Sequence, residues 1–127
     1  MGVTVARFVL DTNIILYFLG GRLADSFPAG AYAISVISEL ELLAYPSLVP
    51  SEEQRIRDFL ADVPITDLTQ SVKHHAVSLR KRFGLKLPDA IVAATALALD
   101  AVLLTNDQRL LALSDVPTQA LRVKSQS

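Results

Sequence analysis

Short apolar runs alternate along the chain with segments whose apolar residues recur every three or four positions. The runs at residues 6–10, 31–35 and 101–105 have the length and composition of buried strands. Weaker strand patterns occupy residues 63–68, which include a proline, and residues 119–123. Such alternation of strand and helix is typical of a parallel sheet that helices cover on both faces.

The helical pattern recurs six times, at residues 13–19, 37–44, 51–62, 70–83, 90–99 and 107–113. Thr12 and Thr69 precede two of these segments and can cap them, because a hydroxyl oxygen accepts the free N–H groups of a first helical turn. Gly84 can end the helix that Thr69 begins, and Pro88 suits the first turn of the next helix. We therefore predict a three-layer α/β/α domain with a four- or five-stranded, mainly parallel sheet.

Length and composition indicate one folded domain. The chain has 127 residues, about half of them apolar and a fifth charged, which is typical of a globular protein. We assign residues 1–123 to the domain and residues 124–127 to a short polar tail. The absence of cysteine excludes disulfides, thiolate catalysis and cysteine-ligated zinc.

Charge and hydropathy narrow the range of partners. The formal net charge is −1, so any contact with nucleic acid must come from a local patch. The N-terminal segment lacks the pattern of a signal peptide and the apolar helix before Asp100 is too short to span a bilayer, so we predict a cytoplasmic protein.

The mean hydropathy of +0.39 indicates more apolar residues than one small core can bury. We therefore predict a homodimer that buries apolar residues of the early helices, namely Ile15, Phe18, Leu19, Leu42 and Leu43.

Four acids are placed so that they can share a site. Asp11 and Asp107 lie just past predicted strands, Asp89 lies in the first turn of a helix, and Glu41 lies on the helix after the second strand. Ligands of open parallel sheets bind beyond the carboxyl ends of the strands, where these acids would converge. Crowded carboxylates repel one another unless a hard cation is present, which favours Mg²⁺ or Mn²⁺ over zinc. The polar side chains available to orient these acids or a water molecule are Asn13, Ser38, Thr105 and Asn106.

Each acid also has a structural explanation. Acids are common in first helical turns, where Asp89 lies, and Asp107 could simply cap a helix. Glu39 is the rival of Glu41, because residues two apart do not share a helix face and only one should point inward. Asp11 is harder to explain structurally, since an acid that ends a buried strand is costly unless it is paired or used. The spacing alone leaves both interpretations open.

The acids lie in four motifs that resemble those of PIN domains. The motifs are VLDTN at residues 9–13, ISVISELELL at 34–43, LPDAIVAATA at 87–96 and LTND at 104–107. In the second motif of that family a Ser or Thr is followed three positions later by the essential Glu, so Ser38 selects Glu41. In size and in the third motif the chain most resembles the VapC-type toxins of VapBC toxin–antitoxin pairs.

This resemblance implies an endoribonuclease that depends on Mg²⁺ or Mn²⁺, as the toxin component of a type II toxin–antitoxin system. Asp11, Glu41, Asp89 and Asp107 would be its catalytic and metal-binding residues. It also implies a dimer and a cognate VapB-like antitoxin as partner.

A basic segment leads into the third motif. Residues 68–88 contain no acid. Their cations are Lys73, Arg80, Lys81, Arg82 and Lys86. A basic helix beside an acidic metal site suits RNA, whose phosphates must approach the carboxylates, and predicts contact with the RNA backbone. The alternative is a solvated helix face that balances acids elsewhere.

Two other classes of function are compatible with parts of the pattern. Asp11 could accept a phosphoryl group, as in phosphatases and receiver domains of similar architecture. Those phosphatases usually carry a second Asp where this chain has Asn13, and receivers usually carry a late Lys where it has Asn106, so both are disfavoured. The alternative that we keep is a non-catalytic PIN-like module that binds RNA or protein. Binding of a divalent metal would discriminate between this module and the enzyme.

Overall fold

Five parallel strands form one sheet in the computed structural model, which describes residues 5–125. In chain order the strands are β1 (Arg7–Leu10), β2 (Ala31–Ser35), β3 (Ile65–Thr66), β4 (Val102–Leu104) and β5 (Thr118–Gln119). Every neighbouring pair in the sheet is parallel. The predicted α/β fold with a four- or five-stranded, mainly parallel sheet is confirmed.

Six helices alternate with these strands within residues 5–125. They are α1 (Thr12–Leu19), α2 (Val36–Leu43), α3 (Pro50–Asp62), α4 (Gln70–Phe83), α5 (Leu87–Ala98) and α6 (Gln108–Leu111). None of the helices in this part of the chain is long and apolar enough to cross a membrane.

The strand order is β3-β2-β1-β4-β5, which places β1 at the centre of the sheet. The chain first moves outward from β1 to β2 and β3 and then returns to the other side of β1 for β4 and β5. Val9 of β1 therefore lies between Ala33 of β2 and Leu103 of β4. In open α/β sheets, the crevice beyond the carboxyl ends of the strands at such a reversal is the usual ligand site.

The central strands send alternate residues into two apolar cores. Val9 and Leu103 face the core that α4 and α5 cover, whereas Leu10 and Leu104 face the core that α1 and α3 cover. Residues 90–96 of α5 are all buried, as their nearly continuous apolar sequence predicts. This sandwiched packing fixes the ends of β1 and β4 and therefore the acids that follow them.

Both ends of α4 agree with the sequence, whereas several other helix ends differ, including the start of α5 at Leu87 instead of residue 90. The Thr69 hydroxyl accepts the Val72 N–H at 3.2 Å, and Gly84 has the left-handed φ of 67° that ends α4. The N-cap of α1 is Asp11, so the prediction that Thr12 caps this helix is wrong. Helix α3 begins at Pro50, one residue before the predicted start.

The two weak strands are shorter than predicted. The segment 63–68 contributes only β3, because Pro64 lacks an N–H group and can offer the ladder only its carbonyl, which accepts the Ile34 N–H at 3.0 Å. The segment 119–123 contributes only the end of β5, after which Val123 forms an antiparallel bridge with Leu23. Both differences lie at the edges of the sheet, away from β1 and β4.

The apolar residues expected at a dimer interface divide into two groups. Ile15 and Leu42 are fully buried within the single chain, so the expectation that they face a partner is wrong. Phe18 and Leu43 are 45% and 47% exposed, so they remain available for a dimer interface. Leu19 is half-buried. In the predicted polar tail at residues 124–127, residues 126 and 127 lie outside the described residues.

Candidate active site

A cleft of about 330 Å³ opens at the carboxyl ends of β1 and β4, where the strand order reverses. All four predicted acids line it, namely Asp11, Glu41, Asp89 and Asp107. Its remaining wall residues are Thr12, Asn13, Leu16, Ala44, Tyr45 and Pro46. A larger groove of about 570 Å³ lies along α4 and holds none of the four acids, so we place the chemistry in the smaller cleft.

Asp11 is the buried member of the site. Its side chain caps α1, with Oδ1 accepting the Thr12 N–H at 2.8 Å and Oδ2 accepting the Thr105 hydroxyl at 2.7 Å. Burial raises the pKa of Asp11, and its two hydrogen bonds oppose this rise in part. The negative charges of Asp89 and Asp107 raise the pKa of Asp11 further. The carboxylate is therefore held in place, but it lacks a compensating positive charge.

Glu41 joins the site through a hydroxyl relay. The Thr12 hydroxyl lies 2.6 Å from Glu41 Oε1 and 2.9 Å from the Ser38 hydroxyl. A hydroxyl has one proton, so Thr12 donates to the carboxylate and accepts from buried Ser38. Glu39 does not line the cleft, and Glu41 does, as expected from the position of Ser38.

Asp107 and Asp89 are connected to Asp11 through Thr105 and Arg109. The Thr105 hydroxyl accepts the Asp107 N–H at 3.0 Å, and Asp107 Oδ1 caps α6 by accepting the Arg109 N–H at 2.8 Å. The Arg109 guanidinium then lies 3.7 Å from Asp89 Oδ2. A continuous chain of polar contacts thus runs from Glu41 through Asp11 and Asp107 to Asp89.

The donor set of the cleft suits a hard divalent cation. Its four carboxylates provide only oxygen ligands, which Mg²⁺ and Mn²⁺ prefer. Among residues 5–125, however, no three acidic or histidine side chains stand close enough to surround one ion. Glu41 is exposed and Asp89 is 30% exposed, so both side chains have room to rotate toward an ion while their helices stay in place.

The four residues predicted to orient the acids differ in their positions relative to the cleft. Ser38 and Thr105 are buried and hold acids of the cleft through the contacts given above. Asn13 lines the cleft from an exposed position. Asn106 instead binds the backbone of Leu121 with both ends of its amide, at 2.8 and 2.9 Å, and does not line the cleft.

The predicted basic residues lie on and after α4. Because α4 and α5 pack together and only residues 84–86 join them, the C-terminal end of α4 lies beside the start of α5, where Asp89 is. Arg80 donates to the Leu85 carbonyl at 2.6 Å and Arg82 pairs with Asp115. The groove along α4 is lined by Gln70, Lys73, His74, Val77, Ser78, Lys81 and Arg82. Lys86 is the N-cap residue of α5.

Two residues of the site were missed from the sequence. The sequence suggested only that Thr12 caps a helix, because this hydroxyl residue follows Asp11 at the end of a strand. In the structure, the Thr12 hydroxyl instead contacts Glu41 and so links the first motif to the second. Arg109 lies two positions after Asp107, and nothing in the local sequence links it to Asp89, twenty residues earlier. Its pairing depends on how α6 packs beside α5.

The fold and the cleft define an α/β domain with an acidic site at the switch point of its sheet. A family model for the PIN domain matches residues 8–116, which is most of the chain. The protein therefore belongs to the PIN-domain family.

Several solved structures with the same fold come from toxin–antitoxin systems. A chain of a toxin–antitoxin complex from Klebsiella pneumoniae is 32% identical, with a TM-score of 0.67, and the match covers 82% of this chain and 89% of that one. VapBC2 from Rickettsia felis, bound to a promoter DNA fragment, matches with a TM-score of 0.74 and 19% identity over 90% of this chain and 98% of that one. VapBC-1 from nontypeable Haemophilus influenzae is 26% identical, with a TM-score of 0.65, over 90% and 97%.

These neighbours confirm the resemblance to VapC-type PIN proteins that the four motifs indicated. A comparison with curated proteins gave no match.

Proposed function

We propose that the protein is a divalent-metal-dependent endoribonuclease and the toxin component of a type II toxin–antitoxin pair. The observation that carries this proposal is the convergence of Asp11, Glu41, Asp89 and Asp107 on one cleft at the switch point of the sheet. A scaffold that had lost its activity would have no need to keep four carboxylates together at an electrostatic cost. Membership in the PIN-domain family supports the same conclusion.

The carboxylates of the cleft would hold Mg²⁺ or Mn²⁺, with Asp11, Glu41 and Asp89 as the main ligands and Asp107 completing or supporting the site. Such an ion, when bound, activates water and stabilises charge on a phosphodiester. The contribution of the protein is to keep the acids aligned. Thr105 and the Thr12 N–H hold the two oxygens of Asp11, and the Thr12 hydroxyl holds Glu41.

We assign no dedicated general base in the cleft. The two histidines lie on α4, and neither lines the cleft. The carboxylates serve as ligands in this proposal, and a bound ion would lower the pKa of water so that its proton can pass to the solvent.

The RNA backbone would approach over the end of α4 that lies beside Asp89. Lys81, Arg82 and Lys86 are exposed near that end, and Lys73 extends the positive charge about 15 Å along the helix from its C-terminus. Arg80 contributes charge there while its guanidinium binds the Leu85 carbonyl. Contacts of this kind bind phosphates without reading the bases.

Regulation and assembly follow the same family relationship. A VapB-like antitoxin is the proposed inhibitor, since the similar solved structures are chains of toxin–antitoxin complexes. A homodimer in the cytoplasm is the proposed assembly, and the exposed Phe18 and Leu43 are its remaining apolar candidates.

The test is cleavage of a labelled RNA with Mg²⁺ or Mn²⁺ by the wild type and by Asp11→Asn. The variant keeps the shape of the side chain and removes its charge, so the fold should survive. Groups that only orient metal ligands cost about 10- to 100-fold when they are lost, so removal of a direct ligand should cost more than about 100-fold. Full cleavage by Asp11→Asn, or cleavage that EDTA does not stop, would contradict the proposal and favour a non-catalytic module or a contaminating nuclease.

A further inference from the structure

Arg109 occupies an unusual position between two acids of the cleft. Its backbone N–H binds Asp107 Oδ1 at 2.8 Å, and its guanidinium lies 3.7 Å from Asp89 Oδ2. Within residues 5–125, this is the one ion pair that includes an acid of the cleft; the others join Arg57 to Glu53, Arg82 to Asp115 and Arg122 to Asp25. Arg109 is therefore the cation that the fold itself brings to the acidic site.

The pair between Arg109 and Asp89 is loose enough to be exchanged. The Arg109 side chain is 61% exposed, and its distance of 3.7 Å from the carboxylate is too long for a hydrogen bond. Exposed ion pairs of this kind are weak. A divalent cation at Asp89 would compete with the guanidinium, because both are positively charged and both would bind the same carboxylate.

A displaced Arg109 would remain at the rim of the cleft. Asp107 caps α6 through the Arg109 backbone, which fixes the start of this side chain whatever the guanidinium contacts. A guanidinium offers a planar set of donors that matches the geometry of a phosphate. Its guanidinium lies beside Asp89, so a phosphate that approached this acid of the cleft would come within its reach.

We propose that Arg109 exchanges partners: it neutralises Asp89 in the metal-free protein and binds an RNA phosphate once a metal has taken Asp89. This inference rests on the proposed ribonuclease function. It adds Arg109, as a residue that contacts RNA, to the four acids of the motifs. It also predicts that substitution of Arg109 strengthens the binding of the metal and weakens the binding of RNA.

The first measurement is the affinity for Mn²⁺ alone, by isothermal titration calorimetry. Arg109→Gln removes the competing cation, so its affinity for Mn²⁺ should be about two- to fivefold tighter than that of the wild type, the range expected for a weak exposed pair. Arg122→Gln removes another exposed arginine, paired with Asp25, and should leave the affinity for Mn²⁺ unchanged. An unchanged or weaker affinity of Arg109→Gln would overturn the exchange.

The second measurement is the binding of a labelled single-stranded RNA at several salt concentrations, in Ca²⁺, with the RNA checked for integrity. Arg109→Gln should bind about tenfold more weakly, as for a lost hydrogen bond to a charged group. The slope of log K against log salt should fall by about 0.7, which corresponds to one phosphate contact on a single strand. Arg109→Lys should keep the slope, because it keeps the charge, and should recover part of the affinity.

These readouts separate the two proposals. A wild type that cleaves RNA with Mn²⁺, together with an Arg109→Gln variant that has an unchanged salt slope, would overturn the role of Arg109 and leave the ribonuclease standing. A wild type that neither binds Mn²⁺ nor cleaves RNA would overturn the proposed function and the role of Arg109 with it. A thermal melt of each variant shows whether the fold is intact.

Discussion

The acidic cleft and the outer face of α4 would both meet RNA, but they are built in opposite ways. In the cleft, Asp11 is only 8% exposed, and hydroxyl and backbone groups hold both of its oxygens and Oε1 of Glu41 at 2.6–2.8 Å. On α4, Lys73 and Lys81 are both exposed, about two turns apart on a single helix. The function proposed for the cleft depends on the position of each ligand atom, and the function proposed for α4 depends on the total charge of its exposed face.

This difference predicts how each surface responds to substitution. A metal site loses its function when one ligand is misplaced, because the geometry of coordination is demanding. A row of flexible cations contributes to binding through release of counterions, so each member adds a similar and modest share. Substitutions in the cleft should therefore change the rate steeply, and substitutions on α4 should change affinity gradually and depend on salt.

The sharpest contrast within the cleft is between Glu41 and Glu39. Glu41→Gln should lower the rate of RNA cleavage by more than about 100-fold, because it removes a charged ligand that Thr12 holds in place. Glu39→Gln should change the rate by less than about twofold, because this side chain does not line the cleft. Initial rates at saturating Mn²⁺ measure both. Equal losses in the two variants would show that the position inferred from Ser38 is incorrect.

The next effect in size concerns Thr12, which orients a ligand without being one. Thr12→Val keeps the shape and the backbone N–H that binds Asp11, but it removes the hydroxyl that binds Glu41. The rate should fall by about 10- to 100-fold. Thr12→Ser keeps the hydroxyl and should restore most of the activity. If the Val variant were as active as the wild type, Glu41 would not depend on this hydrogen bond.

The role of Thr12 marks the limit of what the sequence could predict. Strand–helix alternation and four acidic motifs were enough to predict the sheet and the convergence of Asp11, Glu41, Asp89 and Asp107. These features depend on local patterns and on the rule that places ligands beyond strand ends. The contact of Thr12 with Glu41 instead joins residues 29 positions apart, and it depends on the way α1 and α2 meet.

Burial was also misjudged where tertiary packing decides it. Ile15 and Leu42 looked like surplus apolar residues on short helices, but the core under α1 and α3 covers both completely. The pairing of Arg109 with Asp89 was not visible for a similar reason, because α6 has only four residues and no pattern that orients it. The spacing of apolar residues shows which face of a helix is apolar, but it does not show which neighbouring element will cover that face.

On α4, the effects should be smaller. Lys73→Gln and Lys81→Gln should each weaken RNA binding by about two- to threefold and lower the salt slope by up to about 0.7 per phosphate contact. The rate at saturating RNA should stay the same in both variants. Arg57→Gln is a suitable control, because Arg57 lies on α3, which covers the opposite core, and pairs with Glu53. If the control weakened RNA binding as much as the α4 variants, net charge alone would explain their effect.

The smallest effect should come from the stability of the metal-free protein, and its sign follows from the pKa of Asp11. Burial and the neighbouring charges of Asp89 and Asp107 raise this pKa in the folded state above the ordinary value of 3.8. Above its folded pKa, Asp11 is ionised in both the folded and the unfolded chain, and because the folded pKa is raised, this ionisation costs stability. That cost disappears as the pH falls through the folded pKa toward 3.8, because the folded state takes up the proton first.

In EDTA at pH 7, Asp11→Asn should therefore be at least as stable as the wild type, and its advantage should shrink as the pH is lowered. Saturating Mn²⁺ should reverse the order, because only the wild type gains stability from the bound ion. Thermal melts of both proteins between pH 4 and pH 7.5, with and without Mn²⁺, measure this, and a wild type that is the more stable one in EDTA at pH 7 would show that the hydrogen bonds from Thr12 and Thr105 outweigh the burial of the charge.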